Sequence, residues 1–451
     1  MKRFPTIVPL ALAALLAPPF ASPSRGGEAP SDPERLTLED CLRIGLERGA
    51  SIRRARLGEI AADARIGETR ADVLPQLRVS GEYRRLDAVP SFDVEGNSVP
   101  VGRTDNYAAG AEASQLLYSG GSVSAALKAA RQYRERARVL TRQETIELER
   151  DIRVGFHDVL LAVERFAVQG ETVAQLESFV AESERRCAAG TESEFDLLSA
   201  RVRLANEEPT LIAARRDLTL ARESFRHLLR LDRETFELEG VPVYEPLDVP
   251  VERCLALARN GRPDLQAQAL IVDLLAADIR YEQGFGLPQI RARAAYQGAN
   301  PDTTFGSAAD EWGWHWNAGF AADWSVFDGA RRRSVIRQKT IEREQAILDL
   351  DELGRSVELE VRRAWLELQH AGEVVEAARE TESLAERSLD IARVRHETGL
   401  STYLEFTDAA LALRTARLAW RRALRDHLAA RAELCRACGL SGDEWPEEKT
   451  P

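Results

Sequence analysis

The sequence is written twice. At a shift of 213 residues, Leu74-Pro75-Gln76-Leu77 and Tyr83 fall on Leu287-Pro288-Gln289-Ile290 and Tyr296, and Glu39, Cys41 and Leu42 fall on Glu252, Cys254 and Leu255. Farther along the shift becomes 209, carrying Gly120 to Gly329, Arg186 to Arg395, Gly190 to Gly399, Ala200 to Ala409 and Leu204 to Leu413. The change falls between Tyr83 and Gly120, where a loop absorbs it. A period of about 200 residues is too long for a solenoid. Two copies of one module, 36–230 and 249–440, therefore fill the 451-residue chain as one body, joined by a linker at 231–248 whose Pro242 and Pro246 forbid a continuous helix.

Charged residues make up 30% of the chain and aromatics only 6%, a balance that suits long helices with charged faces better than thick globular cores. The net charge of -12 argues against nucleic acid, which needs clustered cations. Lys2 and Arg3 precede an apolar run from Ile7 to Leu16 and small residues up to Ser24, which reads as a signal peptide over 1–24, cleaved between Ala21 and Ser24. Residues 25–35 read as a flexible lead segment and 441–451 as an irregular tail. No other apolar run reaches the ~18 residues of a membrane-spanning helix.

The five cysteines form no even-numbered framework. Cys41 and Cys254 sit on apolar helix positions and read as small buried thiols. Cys435 and Cys438 form a CxxC without the His or second pair that haem or zinc requires, so redox chemistry there is the minor reading. There is no HExxH, GxSxG or P-loop pattern, and Gly284-Phe285-Gly286 precedes a strand where a dinucleotide loop follows one. The chain does not read as an enzyme.

Each module reads helix, strand, loop, strand, very long helix, tight turn, helix. Leu38 to Arg70 is expected to be helical. Strands at about 76–86 and 105–118 flank a polar loop, and strands at about 288–297 and 312–327 repeat them. Leu77, Val79, Gly81 and Tyr83 alternate with Arg78, Ser80, Glu82 and Arg84, and Trp312, Trp314, Trp316, Phe320 and Trp324 share one face opposite His315, Asn317, Gly319 and Asp323. Period two with one polar face is a strand signal. A Trp stripe also suits the inner face of a soluble sandwich, but here only four strands exist, and their other faces carry Arg and Asp.

Such strands match the ~9–11 tilted residues of an outer-membrane barrel strand. Four cannot close a barrel, and an open edge cannot sit in lipid, so closure requires several chains. Counting permits two, three or four copies. After each return strand, 70 residues from Gly120 to Gly190 and from Gly329 to Gly399 contain no proline, on the order of 100 Å of helix at ~1.5 Å per residue. Basic residues before each second glycine mark helix C-termini, and Ser193-x-x-Asp196 and Thr402-x-x-Glu405 look like capping boxes.

Those residues resemble the TolC-like outer-membrane efflux proteins over essentially the whole mature length. The carriers are "LTLEDCLRIGLERG", the pair "LPQLRVSGEY" and "LPQIRARAAY", the turns "LLYSGG" and "VFDGAR", and the tips "GTESEFDLLSARVRL" and "GLSTYLEFTDAALAL". The resemblance implies an α+β membrane protein, a homotrimer whose twelve-stranded outer-membrane barrel continues into a twelve-helix periplasmic tunnel. It implies a passive exit duct joined by a periplasmic adaptor to an inner-membrane transporter, without cofactor. It further places Tyr83, Tyr296 and the Trp stripe towards lipid.

By the same resemblance Asp196, Glu405 and Asp408 form an acidic constriction at the tunnel tip, where carboxylates near a symmetry axis repel and draw cations. Asp196 and Glu405 alternatively serve only as helix caps; Asp408 lies a turn deeper. Arg186, Ala189-Gly190-Thr191, Arg395, Thr398-Gly399-Leu400 and their neighbours are the expected adaptor contacts. His396 and Ser401 stand where relatives that latch the tip shut carry Tyr and Arg, so the latch differs, and His396 is either a protonation-dependent element of it or a solvated surface side chain. Protein secretion through a type I system uses the same kind of duct, and a soluble periplasmic coiled-coil scaffold is the rival from another class.

Overall fold

The computed structural model describes residues 34–445 apart from 90, 95–96, 101–102, 233–235, 301–311, 399, 402 and 443–444. The signal peptide expected at 1–24, Gly399, Thr402 and most of the expected tail lie outside the described residues.

Strand β1 (Glu34–Leu36) leads into α1 (Leu38–Arg48), which opens on a capping box: Asp40 N donates to Thr37 Oγ1 at 3.2 Å and Thr37 N to Asp40 Oδ2 at 3.3 Å. The helix expected over 38–70 is broken at Gly49, and α2 (Ala50–Ala71) follows. A Cβ on Gly49 would lie 2.5 Å from the Gly45 carbonyl oxygen and 2.8 Å from Leu148, so the bend against α3 admits no side chain. The second repeat breaks at Arg262, between α5 (Val251–Gly261) and α6 (Pro263–Gly284), where Pro263 starts the new helix at the position that tolerates it.

The module strands are β2 (Gln76–Arg85), β5 (Asp105–Tyr118), β7 (Gln289–Asn300) and β8 (Gly313–Asp323). They form one antiparallel sheet in the order β2-β5-β7-β8. Inside the segment expected to be loop, β3 (Ser91–Val94) and β4 (Asn97–Pro100) make a small hairpin. Trp312 and Trp324 fall just outside β8, whose expected span was longer.

Helices α3 (Ser122–Ala188) and α7 (Arg331–Glu397) have 67 residues each. They turn back into α4 (Glu194–Leu229) and α8 (Tyr403–Ala437). Within α4, Pro209 removes one helical donor; nearby, Gln169 of α3 donates to the Glu207 side chain at 2.7 Å and to its carbonyl at 3.4 Å. Glu34 and Arg35, expected in a flexible lead segment, instead pair in parallel with Phe236 and Glu237 of β6 (Phe236–Leu238), inside the expected linker.

Two cores anchor the helices, and they are images of each other under the repeat. In the first, Cys41, Leu148, Ile152, Phe225 and Leu229 pack together. In the second, Cys254, Val357, Val361, Leu434 and Cys438 occupy the equivalent places. Cys435 and Cys438 are both buried, and they form no disulfide. Cys438 stands where the first repeat has Leu229, and its hydrogen bond with the neighbouring Cys254 thiol, together with burial, pushes its own thiol well above the usual range, which suits core packing.

Candidate functional site

Register turns four separate alternations into two continuous faces. Directly paired residues share a face. The rows Tyr83–Tyr107, Val79–Ala111–Tyr296–Trp316 and Leu77–Ala113–Ala294–Ala318 therefore lie on one side, with Trp314 and Phe320 beside them. The opposite side carries Arg78–Glu112–Ala295–Asn317, Ser114–Arg293–Gly319 and Gln297–His315. The apolar side is not buried: Trp316 is 76% and Phe320 79% exposed.

Aromatic contacts order that side. Trp314 stacks on Tyr296 at 5.0 Å and on Trp312 at 5.6 Å, and Tyr83 lies 5.1 Å from Tyr107. Trp324, beyond the strand, donates its indole N–H to the Gly286 carbonyl at 3.0 Å, which fixes it where the sheet meets the helices. Gly120 closes the β5–α3 turn at φ +63°. A Cβ there would sit 2.2 Å from the Gly284 carbonyl oxygen, so this junction requires glycine.

At the far end of the long helices, Ala189 caps α3 and Gly190 adopts φ +72°. Gly190 N donates to the Cys187 carbonyl and Thr191 N to the Arg186 carbonyl, each at 2.9 Å, a Schellman arrangement. The second tip repeats the longer bond, Leu400 N to the Arg395 carbonyl at 2.7 Å, and the Thr398 hydroxyl donates to the Val394 carbonyl at 2.8 Å. Arg186 pairs with Glu182 at 2.9 Å. Phe195, Leu198, Val202, Leu384, Ile391 and Leu400 are exposed around the two turns.

The three expected constriction carboxylates sit near these tips. Asp196 accepts from the Ser193 hydroxyl at 2.6 Å while its own N–H donates to Ser193 Oγ at 3.2 Å, so it takes part in capping α4. Glu405 lies 3.8 Å from Arg395, and Asp408 lies 3.8 Å from Arg203 of α4. The sequence reading did not single out Arg203, which has no basic counterpart in the second repeat, where Ala412 occupies its place. His396 is half-buried, its ring stacked at 5.8 Å on Phe406; it is not the solvated side chain of the simplest reading. Ser401 is also half-buried.

Among the described residues no group of His, Cys, Asp and Glu is arranged to hold a metal ion, and no helix is long and apolar enough to cross a membrane. The fold was compared with solved structures. It superimposes on the Campylobacter jejuni CmeC outer membrane channel with a TM-score of 0.76 at 15% identity, covering 89% of this chain and 85% of that one. A membrane protein from Pseudomonas aeruginosa gives 0.74 at 21% identity over 89% and 92%. The open-state Neisseria gonorrhoeae MtrE outer membrane channel gives 0.72 at 18% over 90% and 89%. No curated protein sequence matches the chain. The outer membrane efflux protein family matches twice, at residues 43–229 and 254–440, once on each repeat. With both repeats matched and the channel fold shared along its length, the chain belongs to the outer membrane efflux protein family.

Proposed function

We propose that this efflux channel works as a homotrimer. Three four-stranded sheets close a twelve-stranded barrel in the outer membrane, and the long helices close a twelve-helix tunnel into the periplasm. The observation that carries this is a sheet with one continuous exposed apolar face and two open edges, β2 and β8. Such a face suits lipid, whereas such edges do not, so they must pair with each other between copies.

The chain supplies its own template for that pairing. Inside one chain the end strand of the first repeat, β5, pairs with the first strand of the second, β7, placing Ala111 opposite Tyr296. Applied through the repeat, the same geometry places Phe320 of β8 opposite Tyr83 of the next copy's β2. Apolar then meets apolar on the lipid side around the whole ring.

In this reading the duct is passive and receives substrates from an inner-membrane transporter through a periplasmic adaptor that engages the tips around Arg186, Ala189–Thr191, Arg395 and Thr398–Ser401. Asp196, Glu405 and Asp408 line the tip constriction. The experiment is purification in detergent followed by planar-bilayer conductance. Trimers that open channels are expected; a monomer that never perforates a bilayer would sink the proposal.

A further inference from the structure

The two repeats do not share the charges of the sheet's polar face equally. Arg78 of β2 and Arg291 of β7 are equivalent under the repeat, each at the strand end nearest the helices. Arg78 stands directly opposite Glu112. The equivalent partner of Arg291 is Ala321, so the balancing carboxylate is missing. A second cation, Arg293, stands where the first repeat has Ser80.

The surroundings leave these two guanidiniums uncovered. Arg293 is flanked across the ladders by Ser114 and Gly319, and a Cβ on Gly319 would meet nothing within 4 Å. Arg291 is flanked by Leu116 and Ala321. Among the described residues neither arginine makes an ion pair or a side-chain hydrogen bond, and both are exposed. Three acids share this face with them: Glu82 is held by Arg84, Glu112, opposite Arg78 and Ala295, is diagonal to Arg293, and Asp323, opposite Gln289, is diagonal to Arg291.

Residues two apart on a strand project from the same face about 7 Å from one another. Two guanidinium forks at that spacing converge on a tetrahedral or planar anion, and Arg grips both phosphate and carboxylate bidentately. On the channel reading, on which this inference rests, the polar face lines the bore. Low-dielectric walls there strengthen the field of a like-charged ring.

We propose that Arg291 and Arg293 form an anion-binding collar in the bore, where the barrel meets the helical tunnel, and that it binds phosphate-, sulfonate- or carboxylate-bearing solutes in transit. Three copies set nine guanidiniums at this level, from Arg78, Arg291 and Arg293, against six carboxylates, from Glu112 and Asp323, so the excess is cationic. The collar is the opposite in sign to the acidic tip. A solute leaving the channel passes a cation-favouring gate and then an anion-favouring one.

The test is single-channel conductance of the full-length protein at low salt, with inorganic pyrophosphate added as the probe. Wild-type current should fall with pyrophosphate concentration, and the Arg291→Gln/Arg293→Gln double variant should need about tenfold more for the same block, since lost forks weaken binding and added salt screens what remains. Asp323→Asn changes the same collar in the other direction and should tighten the block. Pyrophosphate block that is absent in the wild type, or identical in wild type, double variant and Asp323→Asn, overturns the collar while leaving the channel intact. A wild-type protein that conducts no current overturns the channel reading and the collar together.

Discussion

Replacing Arg262 by Met should cost about 3 kcal/mol, the low end of what removing one partner of a buried ion pair costs. The Arg262 side chain is only 9% exposed where α5 gives way to α6. Its guanidinium makes a bidentate pair with Asp264, at 3.0 Å to Oδ1 and 2.6 Å to Oδ2, a further bond to Glu360, and one to the Ala437 carbonyl at 3.3 Å. Met keeps the apolar stem and removes the charge. Glu360 keeps Arg436 as a partner, but Asp264, 22% exposed, is left without its cation.

That difference fixes a pH signature. In the wild type, burial pushes the Asp264 carboxyl up, but the hydrogen bonds and charge of Arg262 outweigh it and hold the carboxyl below its usual value. This pair thus stabilises the fold above the unfolded pKa of about 3.9, and the contribution is lost as pH falls through the lower folded value. In the variant burial is opposed only by backbone donors such as the Leu265 N–H, 2.8 Å from Oδ1, so the carboxyl rises from its wild-type position, and the deficit is full at neutral pH and shrinks as acid protonates Asp264. Hydrogen exchange at the α6 N-terminus and the α8 C-terminus reads this locally, with amides opening about a hundredfold faster at neutral pH. Adding Asp264→Asn should recover much of the loss. A deficit below about 1 kcal/mol, or one unchanged between neutral and acidic pH, would refute the reasoning, because an exposed pair contributes no more than that.

Four further outcomes follow from the same physics. With Phe320→Cys and Tyr83→Cys in one chain, oxidation should yield covalent trimers on gels, whereas Phe320→Cys with Gly81→Cys, two residues out of register, should not. Ala330→Gly should stabilise the protein by about 1 kcal/mol, measured by thermal unfolding, because Ala330 sits at φ 68° where its repeat mate Gly121 sits at φ 89°. His427 is buried against Tyr244 and the Glu245 carbonyl, and burial lowers its pKa; its unfolded form takes up a proton that the native form refuses, so stability should fall as pH drops below about 6.5, and His427→Gln should flatten that slope in pH-dependent melts. Glu405→Gln with Asp408→Asn should lower cation preference in bilayer reversal potentials; unchanged selectivity would remove both from the constriction.

The legible parts of this fold are those with a period. Alternation marked β2, β5, β7 and β8 and the two faces of β2 and β8, and paired glycines around 67 helical residues marked α3 and α7. The β1–β6 pairing was invisible because three residues carry no period and their partners lie far apart in sequence. The breaks at Gly49 and Arg262 were missed for different reasons. The break at Gly49 depends on Leu148 packing against it, a property of the folded chain, whereas Pro263 is a local signal for the break at Arg262 that went unread. Cys438 shows how a local pattern misleads: a CxxC suggests chemistry, while the repeat places Cys438 on Leu229 and so in a core.

The duplication therefore does more than describe the chain. Inside it, the first repeat ends on a strand that the second repeat's first strand must cover, and Gly120 lets the turn after β5 approach α6 at Gly284 without a side chain between them. Among the described residues no further strand covers the equivalent strand of the second repeat, and a Cβ on Gly329, the counterpart of Gly120, would meet nothing within 4 Å. The first strand of another copy has the matching faces and the matching turn. In the trimer proposed above, a sequence that repeats once with its last edge uncovered carries an assembly rule: each copy treats its neighbour as its own next repeat, and lipid penalises any ring left open.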